Sequence, residues 1–444
     1  MSTAALRLRK VDDDVLRTMG RPGPLYLAAL GLVLALVAFA GYTWLYQIAI
    51  GLGVTGYSPP MMWAIYITNF VFWVGIAHSG TLISAILYLL RARWRTAVAR
   101  AAEAMTVFAV MTAGAFPIVH LGRPWLFFWL LPYPNQRELW INFRSPLVWD
   151  VFAVTTYFTV SALFLYLGLV PDLAVVRDRS SGLRARLYGL ASLGWQGSGT
   201  HWRHYGALYG FFAALATPLV VSVHSVVSWD FAMSIAPGWH STIFAPYFVA
   251  GAILSGLAMV LTILIPMRRL YALEEYITLE HFENVAKLIV TTSLIVSYSY
   301  ATEGFLSWYR GSEFERGTFY DRVSGSFAPL FWTMLLCNSL VPLLLLVRRV
   351  RRSIPALFAI SLLVNLGMYL ERFVIIAGSL AHGVAPASWA GLYRPTWVEL
   401  AITVGSFAWF ATWFLLFVKL MPVLPVSELK ESLGHRDHGE AAHG

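Results

Sequence analysis

The chain has one cysteine in 444 residues and few charges, with only 12% Asp, Glu, Lys and Arg against 58% hydrophobic residues. That charged share is roughly half the ~25% of an ordinary soluble domain, which excludes a water-soluble fold. The lone Cys337 lies in an apolar run, so no internal disulfide forms and no multi-cysteine iron–sulfur cluster is ligated. Strands of alternating polarity are missing, which excludes a membrane β-barrel. The first 24 residues lack the short apolar core of a secretory signal, so insertion is expected to rely on the first true span. The net charge of +9 is spread over short basic clusters between apolar runs, and a loop bias explains it better than a nucleic-acid partner.

What the chain has in abundance is long apolar runs. A bilayer core of about 30 Å needs roughly 20 apolar residues per helical crossing, and ten windows qualify: 25–50, 63–90, 103–121, 147–170, 207–231, 242–266, 285–308, 328–347, 354–378 and 397–421. The expected fold is an all-α membrane domain over 25–421, between a cytoplasmic segment at 1–24 and a cytoplasmic tail at 422–444. RARWRTAVAR, RDRSSGLRAR, MRRL and RRVRR follow spans two, four, six and eight. Every second loop is therefore basic, which is expected to put both termini in the cytoplasm. Loops after spans three and seven also hold arginines, so the alternation is strong without being perfect.

Orientation gives each polar residue a depth. FPIVHLGRPW ends span three with His120 and Arg123, INFRSPLVWD opens span four with Arg144 and Asp150, and VVSVHSVVSWDF closes span five with His224 and Asp230. PGWHSTIF adds His240 at the same outer level. Ionisable groups at the edge of a hydrocarbon layer are costly and default to function, although each can also snorkel to water. Five converging groups favour a site. Imidazole beside carboxylate suits proton transfer coupled to electron transfer, as when a quinol gives up two electrons and two protons. His120, Asp150 and Asp230 are the expected proton acceptors. His224, His240, Arg123 and Arg144 are expected around them, the arginines holding the carboxylates ionised. Haem is disfavoured because His78, in mid-span, has no expected histidine partner at its depth and CxxCH is absent. No metal site is expected. The tail HRDHGEAAHG, with His435, His438 and His443, is expected to be disordered.

FWVGIAHSG (72–80) in span two aligns with FVAGAILSG (248–256) in span six. This predicts two four-helix bundles, 63–231 and 242–378, related by an axis along the membrane normal, with the small residues serving close packing. In the second half stand Glu303, Glu371, Arg372 and Glu399. Adjacent Glu371 and Arg372 are not expected to face each other on a helix, so each needs a partner on another span. A parallel repeat with buried charge also fits a secondary transporter or proton channel, but the charges gather at one face and not at the midplane such proteins use.

HLGRPW, INFRSPLVWD and SVVSWDFAMSIAPGWHSTIFAPYFVAGAILSG together resemble the NrfD-like family of quinone-interacting membrane subunits, and within it most closely the larger such subunit of alternative complex III. The resemblance covers most of 25–421. It implies oxidation of menaquinol or ubiquinol near the periplasmic face at His120, Asp150 and Asp230. It implies as partners a periplasmic iron–sulfur, molybdopterin-like subunit, haem c subunits, a second NrfD-like subunit and a terminal oxidase. No haem or cluster would be bound by this chain. Proton translocation through the bundles would give roles to His78, Glu103, Glu303, Glu371 and Arg372. The same family also includes quinone-interacting anchors of polysulfide- and tetrathionate-type molybdenum reductases.

Overall fold

A computed structural model describes residues 3–59, 61–135, 137, 139–309, 312–381 and 393–430; the three tail histidines lie outside them. Its described residues are almost wholly helical. Ten helices are long and apolar enough to cross a membrane: Pro24–Ile50, Ile65–Leu89, Thr96–His120, Pro146–Asp178, Gly199–Ala232, Phe244–Leu270, Leu279–Tyr309, Ala328–Leu346, Ile354–Leu380 and Trp397–Leu420. They coincide with the ten expected spans and keep those numbers below.

Burial separates the spans into classes. Every residue from Ile65 to Thr81 of span two is buried, whereas the most apolar stretch of span one has none buried. A helix apolar on all sides is either enclosed by protein or bathed in lipid; the chain uses both. Span two packs on spans three and six, six on seven and nine, four on five, eight on nine, and ten on one. Asn69 donates to Thr403 Oγ1 (2.8 Å), Trp73 to Ser406 Oγ (3.0 Å), and Tyr369 to Asn69 Oδ1 (2.9 Å). These bonds stitch spans two, nine and ten where no water competes. Such contacts contribute about 0.6 kcal/mol each on average.

The small residues of the aligned motifs meet across the centre. A Cβ on Gly75 would touch Ser255 and Ala252, and one on Gly256 would lie 2.1 Å from Ser79 Oγ and 2.7 Å from the Ile76 carbonyl. Spans two and six approach this closely because those side chains are absent.

Both described ends of the chain share one face. The N-terminal helix Thr3–Thr18 buries Val11 and Val15. Its acids reach outward: Asp12 pairs with Lys430 (2.6 Å), Asp12 and Asp13 with Arg179, and Asp14 accepts from Tyr276 (2.9 Å). This is the terminal face. The opposite, site face holds the ends of spans three and five and the start of span four. Gly122, at φ 68°, and Pro124 stop span three two and four residues past His120. Pro146 opens span four in the first turn, where its missing N–H costs nothing.

Candidate functional site

Asp150 lies in the second turn of span four and Asp230 in the last turn of span five. Both are buried, 6% and 9% exposed, and their carboxyl groups meet side chain to side chain. Asp150 Oδ1 and Oδ2 and Asp230 Oδ1 are enclosed without a donor from elsewhere. Two carboxylates in contact repel, and a proton between them turns the contact into a hydrogen bond.

No arginine neutralises it among the described residues. Arg123 and Arg144 are both exposed, and neither forms an ion pair with Asp150 or Asp230. His120 is half-buried, its Nδ1 enclosed and unpartnered. Its ring packs edge-on against Tyr57 (5.6 Å) and Trp63 (6.4 Å), and Trp63 packs on Phe231 (6.1 Å), the neighbour of Asp230. Trp63, Phe231 and Trp239 thus form an aromatic cluster that runs from the imidazole to the residue after Asp230. Tyr57 and Tyr393 stack at 6.0 Å, and Tyr393 donates to Glu399. Burial, reinforced by the Glu399 charge, pushes both phenols above their ordinary range. Both keep their hydroxyl protons; Tyr393 donates to Glu399, and the Tyr57 oxygen accepts from the Tyr66 N–H.

The other candidates are placed elsewhere. His240 is exposed, with Nδ1 3.1 Å from the Ser234 carbonyl. His224, six residues before Asp230, sits about 9 Å deeper, and its ring meets that of His78 at 4.4 Å. The expectation that His78 lacks a histidine partner is therefore corrected. Haem gains nothing from this, because rings in edge contact leave no room for an iron and its macrocycle between them. His78 Nδ1 lies 2.7 Å from the Val74 carbonyl, and its Nε2 and both His224 nitrogens are buried without partners. Tyr157 stacks on His78 (5.1 Å) and shares a bond with Thr81 (2.7 Å). Toward the terminal face Glu103 accepts from Tyr209 (2.9 Å), and Arg100 lies 3.6 Å from Glu103 and 3.0 Å from Asp172. Ser427 closes this cluster by donating its N–H and hydroxyl to Asp172.

In the second half Glu371 and Arg372 do pair, at 2.9 Å, against the expectation from helix geometry. Both are buried, and long side chains from adjacent positions bend toward each other when each also has an anchor. Tyr300 donates to Glu371, and the Arg372 guanidinium lies over the Phe248 ring at 4.3 Å. Glu303 pairs with Arg322 at 2.7 Å, and Arg322 also donates to Ser379 (2.5 Å). Asp172, Tyr157, Tyr209, Tyr300 and Arg322 escaped the sequence reading. Asp172 had a signal, a carboxylate after Pro171 inside an apolar run; the tyrosines had none. Among the described residues no three His, Cys, Asp or Glu side chains cluster as a metal site would require.

Comparison with known proteins places this geometry in a family. Residues 53–385 match the family described as polysulphide reductase, NrfD. A Halobacterium salinarum protein, provisionally named as a membrane subunit of dimethyl sulfoxide reductase, is 30% identical over 432 residues, covering 89% of this chain and 91% of the relative. A selenate reductase subunit of Mesobacillus selenatarsenatis is 20% identical over 430 residues, covering 92% and 96%. A ten-helix membrane protein whose pattern matches over most of its length and whose relatives are named as reductase subunits belongs to the NrfD family.

Proposed function

We propose that the chain oxidises quinol for a multi-subunit oxidoreductase, releasing protons at the site face while electrons leave through a partner subunit. The observation that carries this reading is the buried Asp150–Asp230 pair with no cation beside it among the described residues. Quinol oxidation yields one quinone, two electrons and two protons. The acid pair takes one proton and the free Nδ1 of His120 the other, each from an opposite hydroxyl of the ring. General base catalysis of this kind contributes about 10²–10⁴-fold in rate. The electrons require a cofactor on another subunit, an iron–sulfur cluster held close to the site face.

The basic loops favour a cytoplasmic terminal face, with the site then toward the periplasm or exterior. The relatives' names, a dimethyl sulfoxide reductase and a selenate reductase, support a partner that consumes electrons, hence flow out of quinol. In an alternative complex III assembly this chain would perform the same step, with haem c subunits and a second NrfD-like subunit taking the place of a molybdenum reductase. Menaquinol and ubiquinol present the same two hydroxyls to the pair. Inward of the pair, His224, His78, Tyr157 and then Glu103 form a descending series of buried polar groups, which favours coupling of the reaction to proton movement. Asp150→Asn and His120→Phe in the assembled complex test the reading. Quinol-dependent electron transfer should stop with assembly intact; unchanged turnover overturns it.

A further inference from the structure

Spans four and five run for 33 and 34 residues, well beyond the ~20 that a bilayer core needs. Between their terminal-face ends lies a separate helix, Gly182–Ala191. Its position is fixed by three bonds. Tyr188 donates to the carbonyl of Leu420, the last residue of span ten (2.7 Å); Tyr166 of span four donates to the Ala191 carbonyl (2.7 Å); and Arg177 donates to the Trp195 carbonyl just beyond (2.9 Å). Tyr166 precedes the end of its own span by twelve residues, about 18 Å of helix. The short helix therefore folds back along span four, to the level where the spans leave the hydrocarbon.

The surface it presents there sets exposed leucines between arginines. Leu183, Leu187 and Leu190 fall on one stripe and are 72%, 57% and 76% exposed. Leu193 prolongs the stripe at 72% exposure, although its backbone is left-handed at φ 50°, an unfavourable conformation for leucine. Trp195 and Trp202 pack edge to face at 5.0 Å beside it, the residue type that collects at a membrane boundary. Arg184, Arg186 and Arg203 are exposed. The acids near them are already engaged, Asp178 by Arg177, and Asp12 and Asp13 by Arg179. Arg184 lies over the Tyr188 ring at 5.6 Å, and none of the three arginines pairs with an acid among the described residues; leucines at the boundary with such arginines beside them match acyl chains below anionic headgroups.

We propose that Gly182–Ala191 with Leu193 is an interfacial platform for anionic phospholipid of the leaflet at the terminal face. The leucines enter the acyl boundary, and Arg184, Arg186 and Arg203 bind headgroup phosphates. Through Tyr166 and Tyr188 the bound lipid braces spans four and ten at the end opposite the acid pair.

Two measurements on the full chain test this. A spin label at Leu187→Cys in a Cys337→Ser background, with Leu190→Cys as the second position, is read in phosphatidylcholine vesicles with and without phosphatidylglycerol. The label should be relaxed by oxygen and shielded from an aqueous nickel chelate. Phosphatidylglycerol should raise the melting temperature of the parent chain, and the triple variant Arg184→Gln/Arg186→Gln/Arg203→Gln should lose that increment. A label open to the nickel chelate overturns the proposal. So does a label shielded from both agents only in the assembled complex, which would assign the stripe to a protein partner. Equal melting in both lipids overturns the anionic preference.

Discussion

The site face of the first half and the second half of the molecule bury acids in opposite company, while Glu103 and Asp172, toward the terminal face of the first half, share Arg100. In the first half Asp150 faces Asp230, and the nearby arginines point into solvent. In the second, Glu303 faces Arg322 and Glu371 faces Arg372, with Tyr300 and Ser379 completing the arrangement. An acid beside an arginine has a partner charge, and removing either one leaves the other buried and uncompensated. An acid beside another acid has nothing to neutralise it except a proton, and so can take one up and release it. Burial is common to all of these carboxyls; what distinguishes them is the identity of the neighbour.

This contrast is open to direct attack. The largest effect is expected at the acid pair: Asp150→Asn and Asp230→Asn should each lower quinol-dependent turnover by about 10²–10⁴-fold. Because the pair acts as one unit, the double variant should be scarcely slower than either single one. Steady-state assays of the assembled complex decide this, and multiplicative losses would break the pair into two independent groups. Glu371→Gln should do the reverse. It leaves Arg372 buried and unpaired, at a cost of about 3–5 kcal/mol, visible as a lower melting temperature, while turnover per folded complex stays near normal. A loss of rate without a loss of stability would make Glu371 a proton carrier and erase the distinction.

A smaller effect is expected where the halves meet. Gly256→Ala puts a methyl 2.1 Å from Ser79 Oγ and should destabilise by about 1–3 kcal/mol. Gly41→Ala, with nothing within 4 Å, should be neutral or stabilise by about 0.5–1 kcal/mol, since glycine disfavours a helix interior. Thermal unfolding in detergent compares the two. The smallest effect belongs to the exposed Arg123 and Arg144. Exposed charges couple weakly, by about 0–1 kcal/mol, so replacing either by Gln should change turnover less than about fivefold. A larger loss would return the arginines to the site.

The ten spans were legible because apolar run length and alternating basic loops are properties of consecutive residues. The position of His120, Asp150 and Asp230 on one face was legible for a related reason: each stands within two turns of a span end, where a count of residues gives depth. His224 shows where that reckoning loses resolution. Six residues before Asp230 is nearly two helical turns, enough to move it out of the acid pair's level and against His78. Partner choice was not legible at all. Whether Glu371 meets Arg372, or Arg144 meets Asp150, depends on side-chain direction and on the rotation of each helix about its axis, which local sequence does not encode. Tyr157 and Tyr300 belong to the same class, ordinary aromatics in apolar runs until packing turns their hydroxyls toward Thr81 and Glu371.

The central claim is that the Asp150–Asp230 pair takes up a proton as quinol is oxidised. Redox-triggered infrared difference spectroscopy of the assembled complex reads this directly in the carboxyl stretching region. The account predicts a protonated-carboxyl band that changes on quinol oxidation, shifts in deuterium oxide, disappears in Asp230→Asn and persists in Glu371→Gln. A band that survives Asp230→Asn and vanishes in Glu371→Gln would contradict it.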